Sequence, residues 1–194
     1  VKSGCVSAGY SLESGNDEIL KAMDKKVKSK YFNEQVHICR EAGLITNTSL
    51  IIGYPQETRE TINETMSKLE KLKVYPSTGF LLPLPETGMW KYALDNNHIK
   101  NIDEYLTQIT ERQDFSLNMT KMTDEELKEE TLKSLEKLNK VFGNNLDKSK
   151  LLKTGGEDQH SKHQEKAKKQ KKLEDRNLTT KETLNYATQE GTMR

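Results

Sequence analysis

Cysteine, aromatic residues and long apolar runs are all scarce in this chain of 194 residues, and each shortage excludes something. The two cysteines, Cys5 and Cys39, lie far apart and cannot staple a small secreted scaffold, which points to a reducing, cytoplasmic setting. No apolar stretch approaches the roughly 20 residues that span a bilayer, and no signal peptide is visible, so no membrane partner is expected. Net charge is nearly absent: 31 basic against 30 acidic residues leave +1, so no global field draws the chain to nucleic acid. Hydrophobic residues make up 32%, where globular chains carry about 45–50% with Gly counted in. Mean hydropathy is −0.88, so part of the chain is expected outside any core. The sequence starts with Val1 and enters a strand-like run almost at once, as a piece of a longer polypeptide would.

What is present is organised around Thr48 to Thr58, TSLIIGYPQET. A short apolar run (Leu50, Ile51, Ile52) ends at Gly53, and Pro55 forbids its continuation. Thr58 then stands where an N-cap belongs, ahead of an amphipathic segment from Arg59 to Lys73 with Ile62, Met66, Leu69 and Leu72 at helical spacing. That order is strand, tight loop, helix, and in parallel α/β proteins ligands collect at the carboxyl ends of such strands. Gly53, lacking a Cβ, lets backbone approach a ligand closely.

Before it, Gly4 to Leu12 reads as a strand ending in Glu13-Ser14-Gly15, and Asn16 caps a short helix that opens with Asp17 and Glu18. Ser29 precedes a second helix over Lys30 to Ala42, with Tyr31, Val36, Ile38 and Cys39 as its apolar positions and Gly43 as its stop. Asn47 to Gly53 and Thr78 to Leu82 are the next strands, so the chain reads as a βαβαβ unit with a parallel sheet. Short helices follow over Gly88 to Leu94 and Ile102 to Ile109. Thr123-Asp124-Glu125-Glu126 is a capping box that starts a helix running to about Phe142, with Leu127, Leu132, Leu135 and Leu138 on one face. Beyond Gly143 the pattern fails. From Gly155 the lysine-, glutamate- and glutamine-rich sequence buries too little to offset ordering, and reads as a disordered tail.

Three phrases, GYSLESGNDEILKAMDKKV, EAGLITNTSLIIGYPQETRETI and LLPLPETGMWKYA, resemble in order and spacing the second half of a radical S-adenosylmethionine (radical SAM) domain. The subgroup resembled is the one with an N-terminal cobalamin-binding domain, together with the methylthiotransferase-like enzymes. The likeness covers Gly4 to Tyr105. It implies the C-terminal half of a partial (β/α)6 TIM-like barrel, with residues 4–94 as its fourth, fifth and sixth strands. Residues 1–116 would then be half-barrel, 117–142 a helical extension and 143–194 a charged tail. The partner implied is the missing N-terminal half of the barrel. By the same resemblance, Glu13 faces the SAM amino acid or ribose with Ser14 beside it, Gly53 and Tyr54 approach the adenosyl group, and Leu82 lies where strand backbone borders adenine.

The resemblance also implies cofactors: SAM, a 4Fe-4S cluster, and cobalamin in the named subgroup. The family holds its cluster with three cysteines in CxxxCxxC, thiolates being the ligands that suit iron–sulfur centres, and this chain has no such motif. The complete protein would be an enzyme and this chain alone inactive. Two glycines of the family phrases G-[FY]-P-G-E-T and P-x-P-G-T are Gln56 and Glu86 here.

Plainer readings stand beside these. Glu13 and Ser14 can serve the helix that follows them, and Glu57 can complement a helix dipole. Cys5 and Cys39 read as small buried hydrophobes, and His37 as an ordinary surface residue. His160 and His163 are spaced for a metal but sit in a solvated tail, and the lysines from Lys166 to Lys172 lack the interleaved aromatics of an RNA-binding arm. A truncated, non-enzymatic interaction partner and an RNA-binding tail on an inert half-barrel are the two rival functions.

Overall fold

The computed structural model describes residues 4–109 and 114–152. Among them, three parallel strands lie in sequence order: β1 (Ser7–Glu13), β2 (Ile45–Ile52) and β3 (Pro76–Phe80). Parallel neighbours need crossovers, and helices supply them. Two, α1 (Asp17–Ala22) and α2 (Ser29–Glu41), join β1 to β2, and α3 (Arg59–Leu72) joins β2 to β3. After the sheet come α4 (Gly88–Asp95), α5 (Ile102–Gln108) and α6 (Asp124–Phe142). The α/β class, the parallel sheet and its helical crossovers match the expectation from sequence. No helix among the described residues is long and apolar enough to cross a membrane.

Strand boundaries move by a few residues. β3 begins at Pro76, tolerable because a first strand residue need not donate to the ladder, and Leu82 lies beyond its end, although Leu81 N still donates to Ile52 O at 2.7 Å. Register places Ser11 opposite Ser49, Ser49 opposite Ser77, and Ile52 opposite Phe80, with a bulge between Ser11 and Glu13. Along β2, Thr46, Thr48, Leu50 and Ile52 are buried while the alternate residues are partly exposed. Leu12, Leu50, Ile52 and Phe80 share one core with Phe32 and Val36 of α2, Ile62, Met66 and Leu69 of α3, and Leu127, Leu135 and Leu138 of α6. The opposite face carries the small row of Ser11, Ser49 and Ser77.

Capping follows the sequence closely. Asn16 Oδ1 accepts from the amides of Glu18 and Ile19, and Thr58 and Thr123 each close a reciprocal box, with Thr61 and Glu126. At α2 the expectation fails. Ser29 is the first helical residue rather than the one before the helix, and Asp17, in the first turn of α1, accepts its amide at 2.8 Å. The α2 face also differs: Phe32, Val36 and Cys39 are buried, while Tyr31 and Ile38 stand 48% and 55% exposed. Both sets have helical spacing, and only contact with β1 and β2 separates them.

The helix expected as an extension, α6, packs along α3 and completes the main core. Residues 143–152, expected to open the tail, return to that core. Asn139 exchanges two hydrogen bonds with the backbone of Leu146, Leu151 is buried, and Tyr75 Oη donates to Leu151 O at 3.4 Å. A second small core gathers Ala93, Ile99, Tyr105 and Met119, with Tyr105 Oη donating to Pro83 O at 3.0 Å. The remainder of the expected tail, with His160, His163 and Lys166 to Lys172, lies outside the described residues.

Candidate functional site

The carboxyl ends of the three strands bring together the β1–α1 loop, the turn after β2 and the residues after β3. At the first of these, the bulge turns Glu13 into the left-handed region (φ 63°), where a non-glycine residue is strained. Glu13 is 8% exposed, and its Oε1 accepts from Lys25 Nζ at 3.2 Å. Lys25 is returned to Glu13 by the way α1 stops. Asp24, at φ 55°, donates its amide to Lys21 O, and Lys25 N donates to Leu20 O at 2.9 Å, the paired bonds of a Schellman stop. Two left-handed non-glycine residues thus converge on one ion pair.

Ser14 is buried on the helix side. Its Oγ contacts Thr65 Oγ1 at 3.3 Å and accepts from Asn16 N at 3.2 Å. At the next turn Gly53 has φ 103°. A Cβ there would find ordinary contacts, 3.6 Å from Leu127 Cδ2 and 3.9 Å from Leu81 Cβ, so the requirement for glycine is conformational rather than steric. Tyr54 Oη donates to Ala22 O at 3.0 Å, tying this turn to the end of α1. Burial, and then the charge of Asp24, push the Tyr54 phenol above its usual range. Leu82 is partly exposed beyond β3.

Glu57 is the residue that sequence reasoning passed over. It precedes the α3 cap and was expected to serve the helix dipole, yet it is 2% exposed. Gly53 N donates to its Oε2 at 3.1 Å, and its Oε1 lies 3.3 Å from Thr61 Oγ1. Burial pushes its carboxyl up from 4.5 to about 7, partly opposed by the hydrogen bonds from Gly53, Thr61 and Tyr54. The network accepts the protonated form. Its O–H can donate to Thr61 Oγ1 while the Thr61 hydroxyl donates to Thr58 O at 3.0 Å. A group half-neutral at pH 7 is a poor complement to a dipole. What it does is brace the Gly53 turn from below. The sequence cue was present in Thr61, placed four residues on, but the inward fold of the turn was not.

The two departures from the family phrases resolve differently. Gln56 is exposed and is not among the positive-φ residues, whereas Glu86 adopts φ 66°, a conformation that glycine takes without strain. The cysteines split as well. Cys39 is buried with its Sγ 3.2 Å from Tyr10 Oη, as expected of a small hydrophobe, but Cys5, ahead of β1, is exposed, its Sγ donating to Ser7 O at 3.3 Å. Among the described residues no group of three His, Cys, Asp or Glu side chains could hold a metal ion. The residues present therefore do not fit an iron–sulfur cluster. What the strand ends do bring together is a shielded carboxylate, Glu13, and the buried glycine turn at Gly53.

Residues 1–69, which hold β1, β2 and most of α3, match the model of the radical SAM superfamily. The chain is 32% identical over 97 residues to an uncharacterized methyltransferase of Pyrococcus horikoshii, covering 50% of this chain and 21% of that protein. It is 31% identical over 71 residues to a tRNA-2-methylthio-N(6)-dimethylallyladenosine synthase of Desulfosudis oleivorans, covering 36% and 15%. Against the synthase of the same name from Thermus thermophilus it is 25% identical over 108 residues, covering 54% and 23%. The matches therefore span roughly a quarter or less of these relatives' length. The radical SAM resemblance carried by the motifs holds.

Proposed function

We propose, with the radical SAM kinship of residues 1–69 as premise, that this chain is the C-terminal part of an enzyme that cleaves S-adenosylmethionine reductively. In this reading β1, β2 and β3 are the fourth, fifth and sixth strands of a partial (β/α)6 barrel, and their carboxyl ends form one wall of the SAM site. The observation that carries it is the shielded Glu13 carboxylate at the end of β1, the strand paired with the one that runs into the Gly53–Tyr54 turn. Ligands of parallel α/β folds collect at that end of the sheet.

Glu13 accepts hydrogen bonds from the amino or ribose groups of SAM, bonds of the charge-assisted and therefore stronger kind. Ser14 holds the loop behind it, the Gly53–Tyr54 backbone approaches the adenosyl group, and Leu82 borders the adenine. None of the described residues would hold the cluster, which in the complete protein would supply the electron for SAM cleavage; the residues of this chain would contribute only to binding and orienting SAM. The small polar row of Ser11, Ser49 and Ser77 lines the face on which substrate lies. Methylation is supported as an outcome by the relative named a methyltransferase, with rearrangement as the other product class and cobalamin as a further cofactor of the complete protein.

The test is Glu13→Gln in the polypeptide that unites this chain with its cluster-binding half. The substitution keeps shape and removes charge. SAM affinity should fall by about 1.5–3 kcal/mol, the scale of hydrogen bonds to charged groups. Unchanged affinity with a lowered melting temperature would retire the cofactor role and leave Glu13 as a structural partner of Lys25.

A further inference from the structure

The loop that carries Glu13 is held from α3. Gly15 N donates to Thr65 Oγ1 at 2.9 Å, and Lys68 Nζ donates to Gly15 O at 2.7 Å. Both backbone groups of one residue are thus gripped by two side chains a turn apart on a single helix. Lys68 Nζ also bonds Ser29 Oγ at the start of α2, and Asn16 Nδ2 donates to Glu64 Oε2 at 2.6 Å. The approach is close enough to exclude any side chain at 15, since a Cβ there would lie 2.7 Å from Thr65 Cα. Thr65 is fully buried, so its hydroxyl has no solvent to turn to.

Glu13 sits two residues upstream in a conformation it would not hold unaided. We infer that Thr65 and Lys68 are positioning residues that set the Glu13 carboxylate toward the ligand. The inference rests on the SAM-site reading above and adds to it where the site's geometry is decided: on a crossover helix that does not touch the ligand. The grip acts through the backbone. Thr65 fixes the amide of Gly15, Lys68 fixes its carbonyl, and the Ser14–Gly15 peptide can no longer rotate to release Glu13 toward solvent.

The experiment uses the complete polypeptide, with SAM as the probe and its dissociation constant measured at a temperature where every variant is folded by circular dichroism. Thr65→Val keeps the shape and removes the acceptor, Thr65→Ser keeps the hydroxyl, and Lys68→Met removes the ammonium. Leu138→Ala destabilises the core at α6 without touching the loop. Thr65→Val and Lys68→Met should each weaken SAM binding about tenfold, the scale of one displaced charge-assisted hydrogen bond, while Thr65→Ser binds as the unsubstituted protein does. Leu138→Ala should lower the melting temperature and leave affinity unchanged. Because Thr65 acts through Glu13, adding Thr65→Val to Glu13→Gln should cost no further affinity. Full additivity of the two losses, or affinity unmoved by Thr65→Val, would overturn the positioning role while SAM still binds. Failure of the unsubstituted protein to bind SAM would instead overturn the site reading, and this inference with it.

Discussion

Burial of Glu57 places a carboxyl that changes charge near neutrality inside the β2 turn. Its ordinary value of 4.5 applies to the unfolded chain and about 7 to the folded one, so between these the folded state binds the extra proton. Its contribution to stability is therefore complete below pH 4.5 and fades as pH rises through about 7. The whole rise corresponds to about 3 kcal/mol at ~1.4 kcal/mol per pH unit. Glu57→Gln keeps a donor for Thr61 and an acceptor for Gly53 and does not titrate. Urea unfolding at pH 5 and pH 8 should show the variant gaining on the parent by up to that amount at the higher pH. An identical pH slope in both would show that Glu57 is not the buried titrating group. Nothing local in GYPQET distinguishes this inward carboxyl from an exposed one. Glu13, by contrast, was placed correctly at a strand end by its turn residues, while its partner Lys25 depends on the left-handed Asp24, which sequence does not display.

Elements were legible where their signals are local. Asn16, Thr58 and Thr123 all cap as their residue types require, and Gly143 ends α6 in the left-handed region. α2 was misread because its start is capped from another helix and its inward face is chosen by the sheet. That remote cap carries a prediction. Asp17 Oδ1 accepts the amide of Ser29, and this bond, with the Ser29 side chain second, holds the Asp17 carboxyl below its usual range. Asp17→Ala should destabilise the protein by about 1 kcal/mol at neutral pH, as loss of an N-cap does. Because the folded carboxyl is the more acidic one, that advantage is present above the ordinary carboxylate range and is lost as pH falls through the lowered value. Thermal melts of both proteins across the acid range should therefore converge. A gap that stayed constant down to the acid limb would mean that Asp17 acts by packing rather than by its charge.

At the scale of the whole molecule, the sheet is covered on one face and carries serines on the other. Among the described residues β1 and β3 each have a single hydrogen-bonded neighbour. Edge strands of stable proteins are blunted by lysine, proline or inward charge. β3 opens with Pro76, but from Ser7 to Leu12 β1 has neither a proline nor a charge. On α2, Tyr31 and Ile38 stand exposed, and Val27 just ahead of that helix is 52% exposed. An unprotected strand edge and exposed apolar side chains together favour association with another chain. The chain expressed by itself should accordingly self-associate, and sedimentation velocity across a concentration series should show dimers or larger species. Gly9 is exposed in β1, and a Cβ added there meets nothing within 4 Å, so Gly9→Lys can add a charge to the edge without disturbing the core. That variant should move the distribution toward monomer with little change in melting temperature. A parent chain that sediments as one sharp monomer at every concentration would show that β1 needs no partner. Self-association that Gly9→Lys leaves untouched would move the contact to the exposed face around Tyr31 and Ile38.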